Sequence, residues 1–128
     1  MGAWDATPWG NDKAVEWFEG FFEATGTDKL VEKALSQSVD PSNHEQVRAA
    51  ISVFLFLGKP EVWPIGSWES TLAKAVDRLR EMLRVPIVQT SSDLAWAIEK
   101  ELSILQARRE GKPRMKEDAG DWWTKLGE

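Results

Sequence analysis

The chain has 128 residues, of which 42% are hydrophobic and 29% are charged, values typical of one folded domain and unlike those of a disordered chain. It contains no cysteine, which excludes disulfides, thiolate metal ligands and cysteine nucleophiles, and its net charge of −5 disfavours generic binding to nucleic acid. The longest apolar stretch, 49–57, is too short to span a bilayer, and no signal peptide is recognisable. We therefore expect a single cytoplasmic domain over residues 1–128, with no membrane segment, cofactor or metal.

The chain opens with an irregular lead-in, residues 4–10, in which Pro8 and Gly10 interrupt regular structure. Asn11 is a residue type that often caps the start of a helix. Asp12 follows in the first turn, where a negative charge suits the helix dipole. These residues predict that the first helix begins directly after the lead-in.

The first helix is predicted to run as far as Gly26, a residue type that commonly ends helices. Glu16, Glu19 and Glu23 share one side of it, and we interpret this acidic stripe as a solvated face because nothing nearby completes a metal site. Apolar residues repeat at helical spacing on the other side and are predicted to face the core: Ala14, Val15, Trp17, Phe18, Phe21 and Phe22.

Two further helices are predicted in the middle of the chain, over about 28–37 and about 42–57. Ser42 and Glu45 have the spacing of a capping box, in which each side chain bonds the backbone of the other residue. Gly58 is suited to end the later helix.

A turn-rich loop, 59–68, follows and carries Trp63 and Trp68. Two interpretations of these tryptophans are open. They either hold the loop against the helices, or they form an exposed aromatic patch of the kind that binding loops carry. The fourth helix is predicted to span about 69–84.

The fifth helix is predicted to begin at a second capping box, Thr90 with Asp93, and to end near Arg109. The basic stretch 108–116 is interpreted as a solvated helix end and loop, because no signature of nucleic-acid binding accompanies its charges. One further short turn is predicted from residue 118 onwards, carrying Trp122 and Trp123.

Helices joined by short connections, with no convincing pair of strands, predict an all-α fold. We expect a compact bundle of about five helices with an irregular, tryptophan-rich N-terminal lead-in.

Residues 1–17 resemble the start of a bacterial family of small, functionally uncharacterised proteins, the domain of unknown function 4259. Asp5 departs from that pattern, where glycine is usual. The likeness continues more weakly at 58–60 and in the helix that contains Trp96. It implies the fold and a bacterial origin but brings no activity. The positions that carry it are Gly2, Ala3, Trp4, Asn11, Asp12, Ala14 and Trp17.

The lead-in is the first candidate site. In one interpretation Trp4 and Trp9 are plugs that seal the helices while Asn11 caps the first one. In the other, the two rings form a pocket or a partner surface together with Asp5 and Asp12.

Three functions are consistent with these residues. The first is a module that binds another protein, for example a toxin that it neutralises, through an acidic surface containing tryptophan. The second is a small-ligand binder or enzyme with a carboxylate-lined pocket near the N-terminus, and the third is a homo-oligomer whose tryptophans form the interface. No catalytic set accompanies His44, the single histidine, so no catalytic residue is assigned. The candidate binding residues are Trp4, Asp5, Trp9, Asn11, Asp12, Trp63 and Trp68.

Overall fold

The computed structural model describes residues 7–110 of the chain. Six α-helices and no β-strand occupy this range, which confirms the predicted all-α fold. None of these helices combines the length and apolar character needed to cross a membrane. The helices are α1 (Asp12–Thr25), α2 (Thr27–Leu35), α3 (His44–Leu57), α4 (Ile65–Met82), α5 (Pro86–Gln89) and α6 (Ser92–Arg109).

Both ends of α1 form as the sequence predicts. The Asn11 side chain accepts a hydrogen bond of 2.8 Å from the backbone N–H of Ala14. At the other end, the N–H of Gly26 donates to the carbonyl of Phe22, and Gly26 has a φ of 66°. Glycine tolerates this left-handed conformation without steric cost, and it lets the chain turn at once from α1 into α2.

The prediction that Trp17 faces the core is wrong. Its side chain is 64% exposed, and its ring stacks on that of Phe21 with 5.7 Å between the centroids. Phe22 is the buried residue of α1. The six predicted core residues cover too wide an arc of the helix for all of them to meet the bundle. Only the part around Phe22 does so, and Trp17 lies outside it.

Most of the hydrophobic core comes from α2 to α6, with α4 packed along α6 and α2 packed along α3, and Phe22 of α1 and Trp63 of the α3–α4 loop complete it. Apolar side chains at helical spacing supply it, which is why each long helix presents one buried stripe. Fully buried members include Leu35, Ile51, Phe54, Leu72, Val76, Leu79, Met82, Ile98 and Leu105.

The capping box predicted at Ser42 and Glu45 does not form. Instead, the Asp40 carboxylate accepts hydrogen bonds from the backbone N–H and the hydroxyl of Ser42, at 2.8 and 2.6 Å, and from the N–H of Asn43. The hydrogen bond from the Ser42 hydroxyl, and after it the one from the Ser42 backbone N–H, hold the pKa of Asp40 below its ordinary value. Because the Ser42 hydroxyl is used in this turn, α3 begins two residues later, at His44.

The capping box predicted at Thr90 is also displaced. A short helix that was not predicted, α5, ends at Gln89 with Thr90 as its C-terminal cap, and the Thr90 hydroxyl donates to the carbonyl of Ile87. Ser91 caps α6 instead, accepting a hydrogen bond of 3.3 Å from the N–H of Leu94. The helix start was therefore predicted within one residue, but the capping side chain was not.

Two charged side chains of α4 support the end of α2. The Arg78 guanidinium donates to the carbonyl of Leu35 at 2.8 Å, and the Glu81 carboxylate accepts from the N–H of Val39 at 2.8 Å. Arg78 and Glu81 also pair with each other. The polar backbone of the α2–α3 connection thereby finds partners on α4.

At Arg108 the interpretation of 108–116 as a solvated helix end and loop is wrong, while 111–116 lie outside the described residues. Its side chain is buried, and its guanidinium donates to the carbonyls of Leu55 and Phe54, at 2.7 and 3.4 Å. The last carbonyls of a helix need donors from outside it. Arg108, at the end of α6, supplies these donors to the end of α3 and so stabilises the last turn of α3.

Candidate functional site

The loop between α3 and α4 leaves the core through a tight turn. Gly58 ends α3, with its N–H bonded to the carbonyl of Phe54, and a Cβ at this position would lie 2.2 Å from that oxygen. The N–H groups of Val62 and Trp63 then both donate to the carbonyl of Lys59, at 2.9 and 2.8 Å. This turn directs Trp63 back into the protein.

Trp63 is a core residue, with 2% of its surface exposed. Its ring meets those of Phe22 and Phe54 edge to face, with centroids 5.0 and 4.9 Å apart. Among the described residues, its indole N–H has no hydrogen-bond partner. Trp63 thus joins α1, α3 and the loop, and it leaves one buried donor unused.

Two other tryptophans hold the same loop. The fourth helix begins at Ile65, not near Glu69 as predicted, so Trp68 lies in the first turn of α4. Its indole N–H donates to the carbonyl of Gly58 at 2.7 Å. The ammonium nitrogen of Lys59 lies over the ring of Trp9, 5.0 Å from its centroid, in a cation–π contact. Trp63 is buried and Trp68 is half-buried, so both side chains hold the loop against the helices, as the first of the two interpretations predicts; binding by these residues stays a prediction.

A groove of about 720 Å³ lies between α1, the start of α2 and this loop, and we call it the acidic groove. Its walls combine apolar side chains with a rim of charges. The apolar lining consists of Val15, Phe22, Pro60, Val62, Trp63, Pro64 and Ile65.

Four carboxylates line the acidic groove against one ammonium group, a formal net charge of −3. Glu19 and Glu23 lie one turn apart on α1, Asp28 lies in the first turn of α2, and Glu61 comes from the loop. Lys29 is the cation of the described lining. Negative charges beside low-dielectric apolar walls raise the local concentration of cationic ligands.

The acidic stripe of α1 therefore divides between two surroundings. Glu19 and Glu23 line the acidic groove, while Glu16 does not. All three carboxylates are exposed to solvent, as the sequence analysis predicted. Exposure leaves them ready to pair with a charged partner at little cost of desolvation.

The predicted site around the lead-in is only partly within the described residues. Asn11 caps α1, Asp12 is exposed in its first turn, and neither they nor Trp9 line the acidic groove. Trp4 and Asp5 lie outside the described residues, as do Trp122 and Trp123. Binding by the residues of the lead-in stays a prediction.

A second, smaller groove of about 380 Å³ lies beside the start of α3 and includes His44, Glu45, Arg48 and Glu101. The Glu101 carboxylate is buried; Nε of Arg48 lies 3.1 Å from each of its oxygens, and Nη2 of Arg48 donates to Oε2 at 2.5 Å. This bidentate pair ties α3 to α6 and uses the charge of Arg48 internally. Within 7–110, no three acidic or histidine side chains are grouped so that they could hold a metal ion.

Sequence reasoning missed the acidic groove because its walls come from three separate segments. The available signal was the spacing of Glu19 and Glu23, which places them on one face of a helix. Nothing in the sequence shows that the loop carrying Glu61 and Ile65 lies opposite that face.

Comparisons of the chain with protein-family models, with curated proteins and with solved structures found no match.

Proposed function

We propose that the protein is a binding module that accepts a basic segment of another protein in the acidic groove. The observation that carries the proposal is the charge of this groove, with carboxylates on α1, on α2 and on the facing loop against one lysine. Lysine or arginine side chains entering from a partner would meet acceptors from both walls. The pairing of opposite charges would both speed the encounter and fix the orientation of the segment.

The volume of the groove sets the size of what it accepts. Pockets for small ligands span roughly 300–1,000 Å³, and the acidic groove, at about 720 Å³, falls within that range. It therefore suits a few consecutive side chains of a partner and not a whole folded domain. A segment that projects from the surface of the partner satisfies this requirement.

Neutralisation of a toxin in the bacterial cytoplasm is one form that this function could take, and it would require a projecting basic segment on the toxin. The resemblance of residues 1–17 to the domain of unknown function 4259 is compatible with any such role, because that family brings no activity. The proposal therefore rests on the charge and shape of the acidic groove.

The test is binding of a fluorescein-labelled peptide that alternates lysine and serine, measured by fluorescence anisotropy with the full chain. We expect binding at low ionic strength that weakens markedly at about 0.15 M salt, where exposed charges are screened beyond about 8 Å. A matched peptide that alternates glutamate and serine should not bind. Failure of the lysine peptide to bind at low ionic strength would contradict the proposal.

Charge-neutralising variants locate the binding. The double variant E19Q/E23Q removes two carboxylates of the groove, and E16Q/E99Q removes two exposed carboxylates outside it. Each exposed pair contributes about 0.2–1 kcal/mol, so loss of the two pairs in E19Q/E23Q should weaken binding by about twofold to thirtyfold at low ionic strength. Because both variants change the net charge equally, the same loss in each would show that the peptide responds to overall charge and not to the groove.

A further inference from the structure

Ile65 is the most exposed large hydrophobic residue among those the structure describes, at 70%. It is the first residue of α4 and lines the acidic groove directly after Pro64. An exposed isoleucine by itself is ordinary. This one stands at the edge of a groove that also reaches the buried side chains of Phe22, Val62 and Trp63. It therefore extends the apolar interior of the protein out to a surface that carboxylates surround.

We propose that the segment bound in the acidic groove is amphipathic, with an apolar side chain that covers Ile65 and flanking lysine or arginine side chains that pair with the carboxylates. This inference rests on the proposed function and specifies the partner further. A basic segment without apolar side chains would satisfy the charges but would leave Ile65 in water. A segment with an apolar side chain between basic ones would pair with the carboxylates and also cover the apolar surface of Ile65.

The two kinds of contact respond differently to salt. Pairs between exposed charges weaken as ionic strength rises, because mobile ions screen them. Burial of apolar surface is not screened by ions and scales with the area removed from water. An amphipathic segment should therefore keep part of its affinity at a salt concentration that releases a purely polar basic segment.

The experiment compares two labelled peptides on the full chain, one alternating lysine with leucine and the other alternating lysine with serine. Covering one large apolar side chain is worth enough to tighten binding by about tenfold. We therefore expect the lysine–leucine peptide to bind about tenfold more tightly and to stay bound at about 0.5 M salt, where the lysine–serine peptide is released. A glutamate–leucine peptide controls for nonspecific hydrophobic association and should not bind.

A pair of matched variants tests the role of Ile65. I65T shortens the apolar side chain in the groove, and I87T makes the same change at an isoleucine of α5 that is 59% exposed and lies outside the groove. We expect I65T to remove most of the preference for leucine over serine and I87T to leave it intact. Circular dichroism of both variants checks that the helices are retained.

The outcomes separate the two proposals. If the lysine–serine peptide binds through Glu19 and Glu23 but leucine adds no affinity, or if I65T and I87T behave alike, the amphipathic partner is overturned and the proposed function stands. If neither lysine peptide binds, both are overturned.

Discussion

Trp63, predicted to lie in a loop, is buried, whereas Trp17, which helical spacing predicts to face the core, is exposed, and replacing each with alanine tests this difference. Trp63 is 2% exposed and packs against two phenylalanine rings, whereas Trp17 is 64% exposed. Replacing a buried tryptophan with alanine removes the ring and leaves a cavity that the surrounding side chains fill only in part. Replacing an exposed one removes little from the core.

The expected magnitudes are well separated. Trp63→Ala should lower the free energy of unfolding by about 3–5 kcal/mol, the usual cost for a large buried aromatic side chain. For a chain of 128 residues this corresponds to a fall of about 11–19 °C in the thermal midpoint. Trp17→Ala loses an exposed ring contact with Phe21 and should cost less than about 1.5 kcal/mol.

Urea unfolding followed by far-ultraviolet circular dichroism measures both variants against the original chain. Trp63→Phe serves as a milder variant in case the alanine variant does not fold. It keeps an aromatic ring and removes an indole N–H that has no partner among the described residues, so it should cost less than Trp63→Ala. A loss in Trp17→Ala equal to or larger than that in Trp63→Ala would refute the placement of these two rings.

Three further predictions concern the ends of helices and the turns between them. Hydrogen bonds in the folded chain lower the pKa of Asp40, so its ionised carboxylate stabilises the fold at pH values above the ordinary pKa of 3.8. This contribution is lost as the pH falls through the lower pKa of the folded state. Asp40→Asn should therefore lose less stability than the original chain between about pH 5 and about pH 3, in urea titrations at each pH. Gly26→Ala should destabilise the fold by about 1–2 kcal/mol because φ is positive at this residue. Gly20→Ala should stabilise the fold by about 0.5–1 kcal/mol, because Gly20 lies within α1 and a Cβ there meets open space. Thermal midpoints that change in the same direction in both variants would contradict this account. Ser91→Ala should cost about 0.5–2 kcal/mol as the loss of a helix cap, and Thr90→Ala clearly less; equal costs in chemical denaturation would favour the capping box at Thr90.

The sequence was sufficient to predict those parts of the fold that depend on local chemistry. Helix α1 begins after Asn11 and ends before Gly26 as predicted, because a capping side chain and a left-handed glycine act within one turn of the helix. The all-α class followed from apolar spacing along each segment. Where two capping residues competed, as at Asp40 and Ser42, spacing alone did not show which one would bond the backbone.

The candidate site was less predictable because it depends on contacts between distant segments. The face shared by Glu19 and Glu23 is a local property and was identified from the sequence. The burial of Trp63, the partner of Trp68 and the approach of Glu61 to that face depend on how the loop packs, which no local pattern encodes. Ile65 was assigned to a loop because no polar cap marks the start of α4, which follows Pro64 directly.

The claim that a basic, partly apolar segment binds in the acidic groove can be tested most directly by mapping the bound peptide in the original chain. We would titrate the lysine–leucine peptide into isotope-labelled protein and follow each backbone amide, and the eight indole N–H signals, by nuclear magnetic resonance. The account predicts that the largest shifts fall on Glu19, Glu23, Glu61 and Ile65 and on the indole of Trp63, while Ile87 is unchanged. Shifts centred instead on the groove beside Arg48, or spread over the whole surface, would contradict it.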